Sequence, residues 1–145
     1  MKISDSFRSS YPTLSTWIEI NIPKVKTKPV VWAAFKKYSE LDEVAASMAI
    51  RLNTFPEVHF GINIRSNGFF NGPRFPNRVY LTKTVCDKFE NSDSNNVLMH
   101  LLIESTLLHE MVHWGDHKDG VDQALIEEGK EFEKEAYGRD IERYW

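Results

Sequence analysis

Hydrophobic and polar positions along the chain change period twice. The run Pro12 to Ile20, with Ser10 as a cap and Pro12 near the first turn, predicts a short helix that Pro23 ends. The basic stretch Lys24 to Lys28 reads as a surface turn. Apolar residues then recur at helical spacing over Pro29 to Tyr38 and over Leu41 to Leu52. In the second of these, Leu41, Val44, Ala45, Met48 and Leu52 form one stripe expected to face a core. The period next falls to two: Val58, Phe60, Ile62 and Ile64 alternate with His59, Gly61, Asn63 and Arg65, which predicts a strand with one buried face. Ser66 to Asn77 is rich in turn residues, and Arg78 to Thr82 reads as a second strand, so a small antiparallel hairpin or meander is expected.

Helical spacing returns after that. Lys83 to Phe89 predicts a helical turn, and the polar run Asn91 to Asn96 can cap the next helix. Val97 to Trp114 is the strongest helix of the chain. Leu98, Leu101, Leu102, Ile103, Leu107, Leu108, Met111 and Val112 cover most of its circumference, the mark of a helix buried in a core. Gly115 is placed to end it. A polar loop from Asp116 to Asp122 leads to a final amphipathic helix over about Gln123 to Arg143. The fold class expected is α+β in one domain over 1–145, mainly helical, with a small antiparallel sheet and a central buried helix.

Composition narrows the function. The 145 residues are 41% hydrophobic and carry a formal net charge of -3. That supports a real core and gives no electrostatic footprint for nucleic acid or an anionic membrane. The chain is expected to act as a monomer. The single cysteine, Cys86, excludes an internal disulfide framework and a cysteine-rich zinc module, and reads as a buried free thiol. The start, Met1 to Ser6, lacks the apolar stretch of a secretory signal, and no run approaches the roughly 18 apolar residues that span a bilayer. Synthesis in the cytoplasm without a signal peptide is therefore expected.

The chemistry lies on the strongest helix. His109-Glu110-Met111-Val112-His113 matches H-E-x-x-H. Residues four apart share a helix face, so both imidazoles can reach one zinc ion, while Glu110, rotated by roughly 100°, can take a proton from a water on the metal. Burying three such polar groups on an apolar helix without a metal would be costly. A catalytic zinc usually takes a third protein ligand. On a helical wheel started at Leu125, residues Gly129, Phe132, Ala136, Ile126 and Tyr137 share one arc, Glu127, Glu128, Glu131 and Glu135 fall outside it, and Glu133 falls inside. Glu133 is the expected third ligand, with Asp140 and His117 as alternatives. Tyr137, one turn after Glu133, is a candidate for stabilising an oxyanion. Asp116 is a candidate hydrogen-bond partner for a ligand histidine. His100 is read as structural and His59 as solvent-facing. The strand carrying Gly61 is a candidate edge on which an extended peptide could add.

The run Leu107 to Asp116, then Asp119-Gly120, Glu127-Glu128-Gly129, Phe132-Glu133 and Ala136-Tyr137-Gly138 resembles bacterial metallopeptidase toxin domains, the catalytic modules of polymorphic and type VI-secreted toxins. The resemblance is specific over about residues 97–140 and weaker over 57–82. It implies a zincin-like fold, a zinc cofactor, a C-terminal helix supplying an acidic ligand, a protein or peptide substrate, delivery by a secretion system, and an immunity protein as inhibitor. Tyr137-Gly138 also resembles deuterolysin-type aspzincins, which place a zinc-binding aspartate three residues before the tyrosine. Lys134 stands there and cannot ligate, which favours the toxin-like reading. Two other readings stay open on the residues alone: a non-catalytic domain stabilised by zinc, and a zinc amidohydrolase with a non-protein substrate.

Overall fold

The computed structural model describes residues 1–63, 65–118, 120 and 127–145. In chain order its elements are β1 (Lys2–Ile3), α1 (Asp5–Ser10), α2 (Pro12–Asn21), α3 (Pro29–Tyr38), α4 (Glu43–Ile50), β2 (Glu57–Gly61), β3 (Gly68–Phe70), β4 (Arg78–Thr82), α5 (Lys83–Lys88), α6 (Val97–Asp116) and α7 (Glu128–Tyr137). A 3-10 turn, Ile22–Thr27, joins α2 to α3, and a π-helical turn, Phe89–Asp93, comes after α5.

The protein is mixed α and β, as the change of period predicts, but the sheet is not a hairpin. Its strand order is β1-β2-β4-β3, with β1 parallel to β2, β2 parallel to β4, and β3 antiparallel to β4. The reason lies in the stretch from Ser66 to Asn77. It contains a strand of its own, which makes the tight antiparallel pair with β4 and leaves β2 to reach β4 by a longer crossover. β2 is therefore interior, flanked on both sides, and is not the exposed edge expected of it. β1 and β3 hold the two edges instead.

Gly61 serves β3 in another way. A Cβ there would come 2.6 Å from the ring of Phe69, so the missing side chain makes room for Phe69, which stacks on Tyr80 with ring centroids 4.5 Å apart. Of the alternating residues, Val58 is fully buried, while Ile62 is 85% exposed and lies beyond the strand. Ile64 lies outside the described residues.

Helix entries and exits differ from expectation where local chemistry allowed two solutions. Ser10 closes α1 and does not cap α2, which starts behind Tyr11 with Pro12 in its first turn. In α4, Asp42 accepts from the backbone N of Ala45, and the buried face is Ala46, Ala49 and Ile50. Val44 and Met48, on the predicted core stripe, are more than half exposed. The helix is apolar on two faces, and the side with the small alanines packs inward. Gly115 does not end α6, which continues to Asp116. A Cβ at Gly115 would meet the backbone O of Ser39 at 2.5 Å, so the glycine serves close packing on the end of α3. Asn96 caps α6 as expected, accepting from the backbone N of Leu98.

α6 runs through the middle of one continuous core. Leu102, Ile103, Leu107, Leu108, Met111 and Val112 are all fully buried. Sheet and α7 pack on it from different sides, with Phe132 of α7 buried against Phe35 of α3. The last helix is shorter than predicted: Gly138 adopts φ 78°, a left-handed conformation that suits glycine, and stops α7. Beyond it, Arg143 ties the chain end back to the segment before β3 through Ser66 and Asn67. Among the described residues no helix is long and apolar enough to cross a membrane.

Candidate metal centre

Helical geometry places His109 and His113 one turn apart on α6, and their Nε2 atoms lie 3.3 Å from each other. Glu127 meets both. Its Oε1 is 3.0 Å from His113 Nε2 and 3.3 Å from His109 Nε2. One donor atom from each of these residues lies within 4.8 Å of the other two, a group that could hold a metal ion. The donor set fits such an ion. Two imidazole nitrogens and a carboxylate oxygen are ordinary zinc ligands.

The surroundings are built to hold these atoms in place. Glu127 precedes the first turn of α7, and its Oε2 accepts from the backbone N of Lys130 at 2.6 Å, so one carboxylate both caps the helix and faces the histidines. Gly129 lies against His109: a Cβ there would fall 2.4 Å from Nε2. Behind the ring, His109 donates from Nδ1 to Glu133 Oε1 at 2.9 Å. The second oxygen of Glu133 accepts from the backbone N of Ile141 at 2.6 Å, and the residue is 6% exposed. Both Glu133 oxygens are thus engaged on the far side of His109 from Nε2, and the helix-phase expectation that Glu133 converges with the two histidines is not what the structure shows. Glu133 does lie on the buried face, as its phase predicted. Its partner there is an imidazole.

Charge is strongly coupled in this site. Burial works against a charged His109, but the hydrogen bonds to Glu127 and Glu133 outweigh it and lift the imidazole to about 10. Burial likewise pushes Glu127 up, and the two histidines more than reverse this, holding it well below the usual carboxylate range. Glu110 is 6% exposed, and burial raises it to about 7 in spite of the two nearby imidazoles. It faces β3. A Cβ at Gly68 would come within 2.9 Å of Glu110 Cγ and 2.7 Å of Thr106 Cγ2, so the glycine lets the strand lie directly on the face of α6 that carries Glu110.

Two cavities meet at this point. The larger, about 1060 Å³, runs between β3 with its following loop and the end of α6, and is lined by Phe69, Phe70, His109, Glu110, His113 and His117 among others. The smaller, about 220 Å³, opens on the other side of Glu110.

The remaining candidates fall in several places. His117 is exposed and packs on Gly72 and edge-on to Phe70, with centroids 5.4 Å apart, lining the larger cavity but outside the donor group. Asp116 lines that cavity too. Asp140 lines the smaller one. Tyr137 lines neither. Its hydroxyl donates to Glu104 Oε1 at 3.3 Å, and the same carboxylate takes Lys28 Nζ at 2.6 and 2.8 Å, so the ring pins α7 to α6 behind the site. His100 contacts the carbonyl O of Ser94 at 2.7 Å, and His59, mostly buried, contacts Glu57 at 2.8 Å instead of facing solvent. Cys86 is fully buried, and burial pushes its thiol well up.

Sequence reasoning missed Glu127. The wheel assumed helix from Gln123 onward, but Glu127 has φ -89° and ψ 87°, outside the helix, so its phase on a wheel carried no information. The usable clue was its position three residues before Lys130, ahead of a helix with Gly129 in its first turn. Leu125 and Ile126, also on that wheel, lie outside the described residues.

No curated protein and no solved structure matches the chain. A family model does, over residues 7–138, which takes in β2 to β4, the helix with both histidines and all of α7: the chain belongs to the family described as metallopeptidase toxin 3.

Proposed function

We propose that the chain hydrolyses peptide bonds with a zinc ion held by His109, His113 and Glu127, and that Glu110 is the general base. The observation that carries this is the convergence of three ligand-type atoms beside the buried carboxylate of Glu110, all lining one cavity. When bound, the zinc ion supplies Lewis acidity, acidifying water and polarising a carbonyl oxygen. Everything else falls to the chain. Glu110 receives a proton at its carboxylate and delivers it to the leaving amine. Glu133 fixes the tautomer and orientation of His109 by accepting from Nδ1, which keeps Nε2 free to ligate.

β3 supplies the substrate platform. It is an edge strand, it lies on Glu110 through Gly68, and its residues line the larger cavity. An extended peptide can add to it through backbone hydrogen bonds. A helix carrying H-E-x-x-H beneath a sheet with such an edge, with the next helix bringing an acidic ligand, supports a zincin-like fold. As a toxin, the protein would act on a protein substrate in a target cell reached through a secretion system, and an immunity protein covering the cleft would restrain it.

The test is metal content and turnover together. Plasma mass spectrometry on wild-type protein should give about one zinc per chain, with a sharp loss in His113→Ala and Glu127→Ala. A folded wild type that takes up no zinc when it is added back would refute the proposal.

A further inference from the structure

The smaller cavity has the features of a built subsite. Its walls are the segment before β3, Arg65 to Asn67, and the segment after α7, Asp140 to Glu142. Arg143 staples the two together, donating from Nε to Asn67 Oδ1 and from Nη2 to the backbone O of Ser66, both at 2.7 Å. Glu133 anchors the second wall through the backbone N of Ile141. The inner end is closed by Gly68, Thr106, His109 and Glu110, so the cavity opens directly beside the proposed base.

Strand direction says which part of a substrate would enter. The chain runs from Asn67, which lines the small cavity alone, through Gly68, which lines both, to Phe69 and Phe70 of β3, which line the large one alone. A peptide adding antiparallel to β3 runs the other way, so the residue after the cleaved bond arrives at the small cavity. Its volume, about 220 Å³, suits one long side chain.

The chemistry of the walls says which side chain. The Oδ1 of Asp140 is buried and has no hydrogen-bond partner among the described residues, an arrangement that costs free energy until a donor arrives. Glu133 is already occupied by His109 and Ile141. Glu142, Arg65 and Lys130 also line the cavity, but all three are exposed, where solvent screens their charge. The group with most to gain from a ligand is thus a carboxylate with one oxygen already out of water.

We infer that this cavity is the subsite for the residue after the cleaved bond, and that Asp140 makes it select a lysine or arginine side chain. The inference rests on the zinc peptidase reading. It is tested with two peptide hydroxamates that differ only in the side chain next to the hydroxamate, 4-aminobutyl in one and isobutyl in the other, titrated calorimetrically into zinc-loaded protein. The aminobutyl compound should bind about tenfold tighter, a difference of roughly 1.4 kcal/mol. In Asp140→Asn the ratio should fall to about one, with isobutyl binding unchanged as the sign of an intact fold and site. Equal affinities in the wild type, or an unchanged ratio in Asp140→Asn, overturn the subsite assignment and leave the peptidase reading standing. A preference for a carboxylate side chain overturns it in favour of Arg65 and Lys130. Binding of neither compound to protein that holds zinc overturns it as well, whereas failure to hold zinc removes the underlying reading.

Discussion

Glu133 Oε1 lies 2.9 Å from His109 Nδ1, on the opposite side of the imidazole from the Nε2 that faces His113 and Glu127. The two acidic residues of this region therefore act on the same histidine from opposite edges. Their variants should differ. Glu127→Ala removes a proposed ligand and should abolish tight zinc binding. Glu133→Ala should weaken it by about 10- to 100-fold, the usual cost of losing the partner behind a ligand histidine. Competition with a chromophoric chelator measures both, and equal losses would contradict the division of roles.

Glu110→Gln keeps the shape of the site and removes the proposed base. Zinc content should stay at the wild-type level while peptide turnover falls by roughly 10²- to 10⁴-fold. Retention of wild-type turnover would remove Glu110 from the chemistry.

Gly129→Ala sets two effects against each other. Alanine favours a helix over glycine by roughly 1 kcal/mol, yet its Cβ would come 2.4 Å from His109 Nε2. The ring is held by Glu133 on its other side and cannot yield without losing that hydrogen bond. Zinc affinity should drop well beyond any change in melting temperature. A variant that binds zinc normally would mean the ring has more room than the structure shows.

Protein stripped of metal by a chelator should lose stability as pH rises. His109, lifted from 6.5 to about 10, contributes stability that is fully present below about 6.5 and is lost through about 10. Glu110, raised from 4.5 to about 7, works in the same direction, because the folded chain binds the extra proton between those values. Glu127, depressed by the same histidines, holds its contribution above 4.5 and loses it in acid. Urea unfolding midpoints of the stripped protein should thus peak just above about pH 4.5 and decline toward 10, a slope that zinc reduces. A flat profile would show that the histidine–carboxylate pairs are not formed without the ion.

Tyr137→Phe should cost about 1 kcal/mol of stability, for one partly buried hydrogen bond, and leave kcat within a few-fold of the wild type. A loss of kcat of a hundredfold or more would restore the tyrosine to a role at the reacting atoms.

What could be read from the sequence came from local rules. Helical spacing found α3 over the same residues the structure gives it, and it found the apolar circumference of α6 with the two histidines one turn apart. Those features depend on neighbours within four positions. The features that escaped depend on distant partners or on chain reversals. The parallel pairing of β2 with β4 required recognising a three-residue strand inside a turn-rich stretch. The buried side of α4 was decided by close approach at Ala46 and Ala49, which outweighed the larger apolar residues opposite. At the site, the pair of histidines was legible because a helix repeats, and Glu127 was not, because it stands where the helix has yet to begin.

That last position has a wider meaning. Glu127 turns one oxygen to the start of α7 and the other to the histidines of α6, so a single rotamer serves both the helix cap and the proposed metal site. By thermodynamic reciprocity, whatever a cation gains from finding this carboxylate already fixed, the first turn of α7 gains back from the cation. An ion bound at this carboxylate would thus stiffen the start of α7, and loss of the ion would loosen it.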